Sequence, residues 1–158
     1  MIWAEVLADK SLQNLPYKIE LNGRGQIVMS PASNRHGLYQ AEIVTELKRL
    51  GRRGRVISEC SVKTADGVKV ADIAWMSAAF AKKHGLSTPY TTAPEICVEV
   101  VSPSNSKSEI DEKITLYLAK GAQEMWVCDG QGQMTFHDHS GELPKSKVFP
   151  RFPKTIEY

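Results

Sequence analysis

The feature that most constrains the fold is the run of residues 95–101, which is almost wholly apolar and β-branched. Such a run predicts a strand buried on both faces. Residues 102–105 interrupt it, and Ser106 and Glu109 have the spacing of a capping box. We therefore expect a helix from Ser106 to about Lys120. A covered strand followed by a capped helix indicates a sheet with helices packed on it.

Hairpin signals accompany this strand and helix. Two short apolar runs surround the Gly-rich turn at residues 22–25, and two more surround residues 130–132. The other patterns predict strands over 17–21, 26–29, 56–58, 68–76, 124–129 and 133–137, and helices over 36–50 and 78–84. We therefore expect an α/β (α+β) fold with a central mixed β-sheet flanked by helices, in a single domain over residues 1–158.

Composition excludes several classes of protein. The chain of 158 residues is 42% hydrophobic and 24% charged, as is usual for a soluble domain. No apolar stretch approaches the roughly 18 residues that cross a membrane, and no secretion signal is visible. The cysteines Cys60, Cys97 and Cys128 lack paired zinc spacing. We therefore expect a cytoplasmic protein with buried free thiols.

Charge leaves nucleic-acid binding open. The net charge of +2 is too small to indicate such a partner by itself. Basic residues cluster, however, at one helix end and the following turn: Lys48, Arg49, Arg52, Arg53 and Arg55. They form either a solvated helix end, where cations favour the helix dipole, or a set of phosphate contacts that includes Arg52 and Arg53.

Two acids lie inside apolar strands. Asp72 is flanked by Ala71 and Ile73, and Glu99 by Val98 and Val100. An unpaired buried carboxylate costs several kcal/mol or takes up a proton, so such acids are usually paired or bound to metal. Two of them on neighbouring strands would suit a hard cation such as Mg²⁺, which prefers oxygen ligands. The alternative is that each acid lies at a strand end and contacts solvent.

Lys113 is out of place on the predicted helix that starts at Ser106. Ile110, Lys113, Ile114 and Tyr117 lie at spacings of three and four, on the apolar face that should pack on the sheet. The lysine stem can reach solvent from such a position. Alternatively, Lys113 points at Glu99 and takes part in catalysis by orienting water or stabilising a phosphate.

The chain resembles a known family at these positions. The resemblance is to the Uma-type (DUF820-like) restriction endonucleases of the PD-(D/E)xK nuclease superfamily, and it rests on residues 94–104, Asp111, Lys113, Tyr117, Gly121 and 124–129. Residues 70–74 resemble the second motif of the family, and the N-terminal match, residues 17–31 with His36 at the start of a helix, is looser. The family implies a restriction-endonuclease-like core and metal-dependent cleavage of DNA with Mg²⁺ or Mn²⁺.

The resemblance also implies catalytic and metal-binding roles. Asp72 matches the metal-binding aspartate of the superfamily, although Ala71 stands where proline is usual. Glu99 matches the acid of the (D/E)xK motif. Val101 stands where that motif has its lysine, and Lys113 is the matching lysine on the following helix.

Further positions follow from the same resemblance. The main-chain carbonyl of Val100 is expected as a third metal ligand. Glu20 either binds metal, directly or through water, or is a plain exposed strand residue. His36 and Gln40 share a helix face and either approach phosphate and the site or are polar residues at a helix start.

Three functions remain open from the sequence. The first is a metal-dependent DNA endonuclease, with a homodimer possible because cutting both strands favours two sites. The second is a binding module for nucleic acid or protein that keeps the fold with an idle site. The third is a hydrolase of RNA or of small phosphodiesters. Shared fold alone is a weak guide to substrate.

Overall fold

The computed structural model describes residues 1–158 and contains a central sheet of six strands in the order β3-β4-β5-β6-β7-β8. Strands β5 and β6 are parallel and the other neighbours are antiparallel. The strands are β1 Tyr17–Leu21, β2 Ile27–Pro31, β3 Gly54–Thr64, β4 Gly67–Ser77, β5 Ile96–Val100, β6 Glu124–Cys128, β7 Met134–Asp138 and β8 Gly141–Leu143. The helices are α1 Trp3–Ala8, α2 Asn34–Arg49, α3 Ala78–His84 and α4 Lys107–Ala119. The predicted mixed sheet flanked by helices is confirmed.

The unit of β5, α4 and β6 forms as predicted, with its helix starting at the capping residues. Ser106 Oγ accepts the amide of Glu109 at 3.2 Å, and the Glu109 carboxylate accepts the amide of Ser106 at 2.9 Å. This capping box starts α4, which crosses the sheet and leads to β6 in parallel register, with Ile96 opposite Glu124. A crossover of this kind is what joins two parallel strands.

Strand β3 is much longer than the sequence predicted. Residues 56–58 were expected, whereas the strand runs from Gly54 to Thr64. Because β3 is the edge strand of the sheet, none of its residues before Cys60 is buried, and the exposed Arg55, Ser58 and Glu59 lie among its apolar residues. The pattern is therefore too polar to stand out as a strand, and pairing with β4 decides its length.

The N-terminal hairpin does not join the central sheet. Strands β1 and β2 form a separate two-stranded sheet that packs on β4, which corrects the expectation of one sheet. A small core of Val6, Leu21 and Val68 attaches the hairpin and the unpredicted helix α1 to this region. The hairpin is thus positioned by tertiary packing.

Two hydrophobic cores lie on opposite faces of the sheet. Val98 and Trp126 pack in the core that contains residues of α2, whereas Cys97 and Met125 pack in the core that contains residues of α3 and α4. Side chains alternate along a strand, so Glu99 shares the face of Cys97 and points towards α4. The alternation of β5 therefore determines which helix can reach this acid.

The C-terminal segment covers the core on the α2 side. The ring centroid of Phe149 lies 5.2 Å from that of Trp75, and the ring centroid of Phe152 lies 4.6 Å from that of Trp126. The buried carboxylate of Glu124 accepts hydrogen bonds from Trp126 Nε1, Ser146 Oγ and the amides of Lys147 and Val148. The C-terminal segment is thus tied to β6.

Cysteine burial agrees with the sequence prediction. Cys60, Cys97 and Cys128 are all buried and free. Burial raises the pKa of the Cys60 thiol and of the Cys128 thiol to about 12. In addition, no helix has the length and apolar character that crossing a membrane requires.

Replacing Gly67 with alanine should destabilise the fold strongly. Gly67 has a φ of 73°, and an added Cβ would lie 2.3 Å from the carbonyl oxygen of Leu21 and 2.4 Å from that of Asn22. Urea denaturation should show a loss of about 3 kcal/mol or more, because a left-handed conformation and a backbone clash combine.

Gly51→Ala is the matched control for this variant. Gly51 has a φ of 70°, but its added Cβ would meet only the carbonyl oxygen of Arg49 at 3.8 Å. It should lose about 1–2 kcal/mol from the left-handed conformation alone. Equal losses in the two variants would contradict the close packing of the N-terminal hairpin on the β3–β4 turn.

Candidate active site

A polar cleft lies at the carboxyl end of β5, where the N-terminal hairpin, α2 and α4 meet the sheet. The side chains that line it include Lys18, Ser30, His36, Asp72, Glu99, Ser102, Asn105 and Lys113. Only a few apolar residues contribute to the lining. Charged groups from five separate elements therefore share one small volume.

Asp72 and Glu99 converge on a single point in this cleft. The residues are 0% and 3% exposed. Asp72 Oδ1 lies 3.0 Å and Glu99 Oε2 lies 2.9 Å from the Nζ atom of Lys18. Two buried like charges repel each other unless a cation lies between them, and here the ammonium group takes that position.

Lys113 approaches Glu99 from α4, which is the second of the two orientations considered from the sequence. Its Nζ atom lies 3.2 Å from Glu99 Oε1 and 3.0 Å from Glu20 Oε1. One turn further along the helix, the Tyr117 hydroxyl donates to Glu99 Oε1 at 3.0 Å. The apolar face of α4 thus delivers two hydrogen-bond donors to one buried acid.

Glu20 is part of the cluster and is only 5% exposed. This burial excludes the alternative, considered from the sequence, that Glu20 is an exposed strand residue. Its Oε2 atom accepts the amide of Val70 at 2.6 Å. Strand β5 pairs with β4 only over Ile73 to Trp75, so it does not cover this amide. The carboxylate of Glu20 therefore joins the hairpin to the sheet and also holds Lys113.

Helix α2 supports Asp72 through two residues. His36 Nε2 lies 3.2 Å from Asp72 Oδ2, and Gln40 Nε2 donates to the Asp72 carbonyl oxygen at 2.9 Å. The register of β3 and β4 skips Glu59, opposite Asp72, and Glu59 has a φ of 55°. Gln40 also donates to Glu59 Oε1 at 3.0 Å, so it bridges the interrupted ladder.

The acids and cations shift each other's pKa values. Burial raises the pKa of Glu99 to about 7, against the opposing charges of Lys18 and Lys113. Burial also acts to raise the pKa of Asp72, but the hydrogen bond from His36 and the charge of Lys18 outweigh it and lower this pKa. The same hydrogen bond to Asp72 raises the pKa of His36.

Lys18 is the member of the cluster that the sequence analysis missed. Its side chain is 13% exposed and comes from β1, two residues before Glu20. Residues two apart on a strand share a face, so a lysine and an acid on one face of β1 were the available signal. Lys18 lies 54 and 81 residues from its two acidic partners, so only docking of the hairpin reveals the contact.

The structure does not bring Arg52 and Arg53 to this cluster. Both precede Gly54, which pairs with Ser77 at the far end of β4, about 17 Å along the strand from Asp72. The Arg52 guanidinium stacks on Trp75 and Phe149 and donates to the carbonyl of Val148. Arg52 therefore holds the C-terminal segment, and any phosphate contact there is remote from the acids.

The donor set fits a hard cation. The oxygens of Asp72 and Glu99 already converge on a positive charge, and carboxylate oxygens are the ligands that Mg²⁺ and Mn²⁺ prefer. No three acid, histidine or cysteine side chains converge on one point. A cation at this position would therefore need oxygens from the main chain or from water to complete its shell.

Comparison with known families decides the relationship suggested by the sequence. The Uma2 family model, described as "Putative restriction endonuclease", matches residues 5–154. The chain belongs to the Uma2 family. The predicted membership is confirmed, and it supports nuclease function in general.

Solved structures show the same fold for this Uma2 protein. It is similar to the crystal structure of a "putative nuclease belonging to DUF820" from Anabaena variabilis ATCC 29413, with a TM-score of 0.74 and 18% sequence identity. The similarity covers 98% of this chain and 94% of that one. No curated protein matches the chain.

Proposed function

We propose that this Uma2 protein is a metal-dependent endonuclease that hydrolyses DNA phosphodiester bonds. The observation that carries the proposal is the position of Lys113, whose Nζ atom lies 3.2 Å from Glu99 in the cleft that also contains Asp72. Two acids and one lysine thus meet in a polar cleft, an arrangement that supports metal-assisted hydrolysis of a phosphodiester.

The acids would hold the metal ion. Asp72, Glu99 and the main-chain carbonyl of Val100 are the proposed ligands for Mg²⁺ or Mn²⁺. The amide of Val100 already donates to Asp72 Oδ2 at 2.8 Å, so β5 fixes the aspartate beside this residue. When bound, the ion supplies charge to a phosphate oxygen and lowers the pKa of a water molecule.

The other side chains orient the reacting groups. Lys113 would hold the attacking water or stabilise the charge that develops on the phosphate. Glu20, at 3.0 Å from Lys113 Nζ, keeps that ammonium in place and is available as a further ligand through water. His36 would donate to a phosphate oxygen, while Gln40 holds the main chain of Asp72.

DNA is the proposed partner, because the family is described as a restriction endonuclease. Cleavage of both strands favours two active sites, so we propose a homodimer. The exposed Arg53 would contact the phosphate backbone away from the cleft. Cytoplasmic DNA is the proposed target.

Cleavage of supercoiled plasmid tests this function directly. Wild type with Mg²⁺ or Mn²⁺ should nick and linearise the plasmid, and EDTA should stop the reaction. Glu99→Gln should cut about a thousandfold more slowly, because a ligand to the metal is lost. Glu112→Gln, an exposed acid on the same helix as Lys113, should cut at the wild-type rate.

Other substrates in the same assay separate the alternatives. Cleavage of RNA or of bis(p-nitrophenyl) phosphate without cleavage of plasmid would identify that compound, in place of DNA, as the class of substrate. Failure of folded wild-type protein to cut any of the three, in either metal, would overturn the proposal in favour of a binding module.

A further inference from the structure

Lys18 holds the two carboxylate oxygens that the proposed metal ion would need. Its Nζ atom lies 3.0 Å from Asp72 Oδ1 and 2.9 Å from Glu99 Oε2. These are the only side-chain oxygens of the two acids that converge, because Asp72 Oδ2 faces His36 and the Val100 amide, and Glu99 Oε1 faces Lys113 and Tyr117. A metal ion held by both acids would therefore need the oxygens that Lys18 holds.

The ammonium and the metal cannot bind these oxygens together. Mg²⁺ binds oxygen at about 2.0–2.1 Å, so an ion shared by Asp72 and Glu99 would lie within van der Waals contact of an ammonium bonded to the same two atoms. Two cations at that separation repel each other strongly in a buried site. One of them has to leave, and the metal carries the larger charge.

The location of Lys18 on the N-terminal hairpin allows its ammonium group to leave the two acids. It is carried by the N-terminal hairpin, which forms a sheet of its own and lies on β4 without joining the central ladder. The side chain lines the cleft beside Ser30 and is 13% exposed, so its long stem can turn towards solvent while the backbone stays in place. The acids, in contrast, are fixed by the central sheet.

We infer that Lys18 is a displaceable internal counter-ion, which neutralises Asp72 and Glu99 in the metal-free protein and must be released when a divalent metal binds. This inference rests on the metal site of the proposed function. It follows that Lys18 stabilises the metal-free protein and lowers its affinity for metal. Once released, the ammonium remains at the cleft, where an incoming phosphate is its natural partner.

Metal titration of Lys18→Met tests the inference without any nucleic acid. Isothermal titration calorimetry with Mn²⁺ should show binding that is about tenfold or more tighter than wild type, because a competing positive charge is removed. In EDTA, the variant should melt about 5 °C or more below wild type, since its two acids face each other unpaired. Added Mn²⁺ should raise its melting temperature by more than it raises that of wild type.

Lys69→Met is the matched control. Lys69 is 10% exposed and pairs with Asp66 at 2.8 Å, outside the point where the two acids converge. It should lose stability in EDTA but keep the wild-type affinity for Mn²⁺. Lys18→Gln, which keeps a hydrogen-bond donor without the charge, should bind Mn²⁺ more tightly than wild type even if Lys18→Met fails to fold.

The outcomes separate this inference from the proposed function. Equal or weaker Mn²⁺ binding by both Lys18 variants, with measurable binding by wild type, would overturn the inference and leave the metal site intact. Absence of Mn²⁺ binding by wild type and by both variants would overturn the metal site and the inference together. Tighter binding by the Lys18 variants alone supports the inference.

Discussion

Asp72→Asn is expected to lower the rate of plasmid cleavage by about three orders of magnitude or more, since metal stabilisation of a phosphoryl transition state is worth several kcal/mol. The side-chain oxygen of the new asparagine can still accept the hydrogen bond that the Val100 main-chain N–H donates to Asp72 at 2.8 Å, so the strand geometry is retained. It cannot supply the negative charge that a divalent ion requires. Mn²⁺ affinity, measured by calorimetry, should fall together with the rate.

The control for this variant is Asp111→Asn. Asp111 is an exposed acid on α4 that pairs only with Lys107, at 2.8 Å and within the same helix. Exposed pairs of this kind contribute roughly 0–1 kcal/mol, so the control should fold, bind Mn²⁺ and cut plasmid as wild type does. Cleavage by Asp72→Asn at the rate of this control would exclude Asp72 as a metal ligand.

Buried acids in this chain divide into two kinds by their partners. Glu124 lies in an apolar strand and is 2% exposed, as buried as Glu99. Its partners are the neutral donors of Trp126, Ser146 and the following amides. Asp72 and Glu99, in contrast, contact cationic side chains in a cleft. The charge of the hydrogen-bond partners therefore distinguishes an acid of the candidate active site from a structural acid, whereas the strand pattern alone does not.

Local signals explain which parts of the site were predictable. Lys113 stands on the apolar face of a helix whose start is marked by the capping pair Ser106 and Glu109. Helical spacing then places it over β5, and strand alternation turns Glu99 towards it. Every step in that chain uses residues within one strand-helix unit, so the sequence contains the information.

The parts that escaped prediction depend on docking between distant segments. Lys18 reaches its acids only because the N-terminal hairpin packs on β4 through Val6, Leu21 and Val68. The edge strand β3 gains its length from pairing with β4, and Arg52 is held at the C-terminal segment by Trp75 and Phe149. Periodicity describes single elements, whereas these contacts are decided by tertiary packing.

Lys113→Met should lower the cleavage rate by about a hundred- to a thousandfold, which is the usual effect of removing one donor that stabilises developing charge. Methionine keeps the length of the stem along the apolar face of α4 and removes only the ammonium that lies 3.2 Å from Glu99 and 3.0 Å from Glu20. Because Asp72 and Glu99 remain, calorimetry should show Mn²⁺ binding at least as tight as in wild type.

The matched control is Lys107→Met, which removes a lysine from the same helix whose side chain is 90% exposed. It should cut and bind metal as wild type does. A Lys113→Met protein that cuts at the rate of this control would contradict the role of Lys113. If Lys113→Met instead binds metal without cutting, while Asp72→Asn does neither, then the lysine acts on the water or the phosphate after the metal is in place. That pair of results would assign separate steps to the sheet, which would hold the ion, and to helix α4, which would supply the charge.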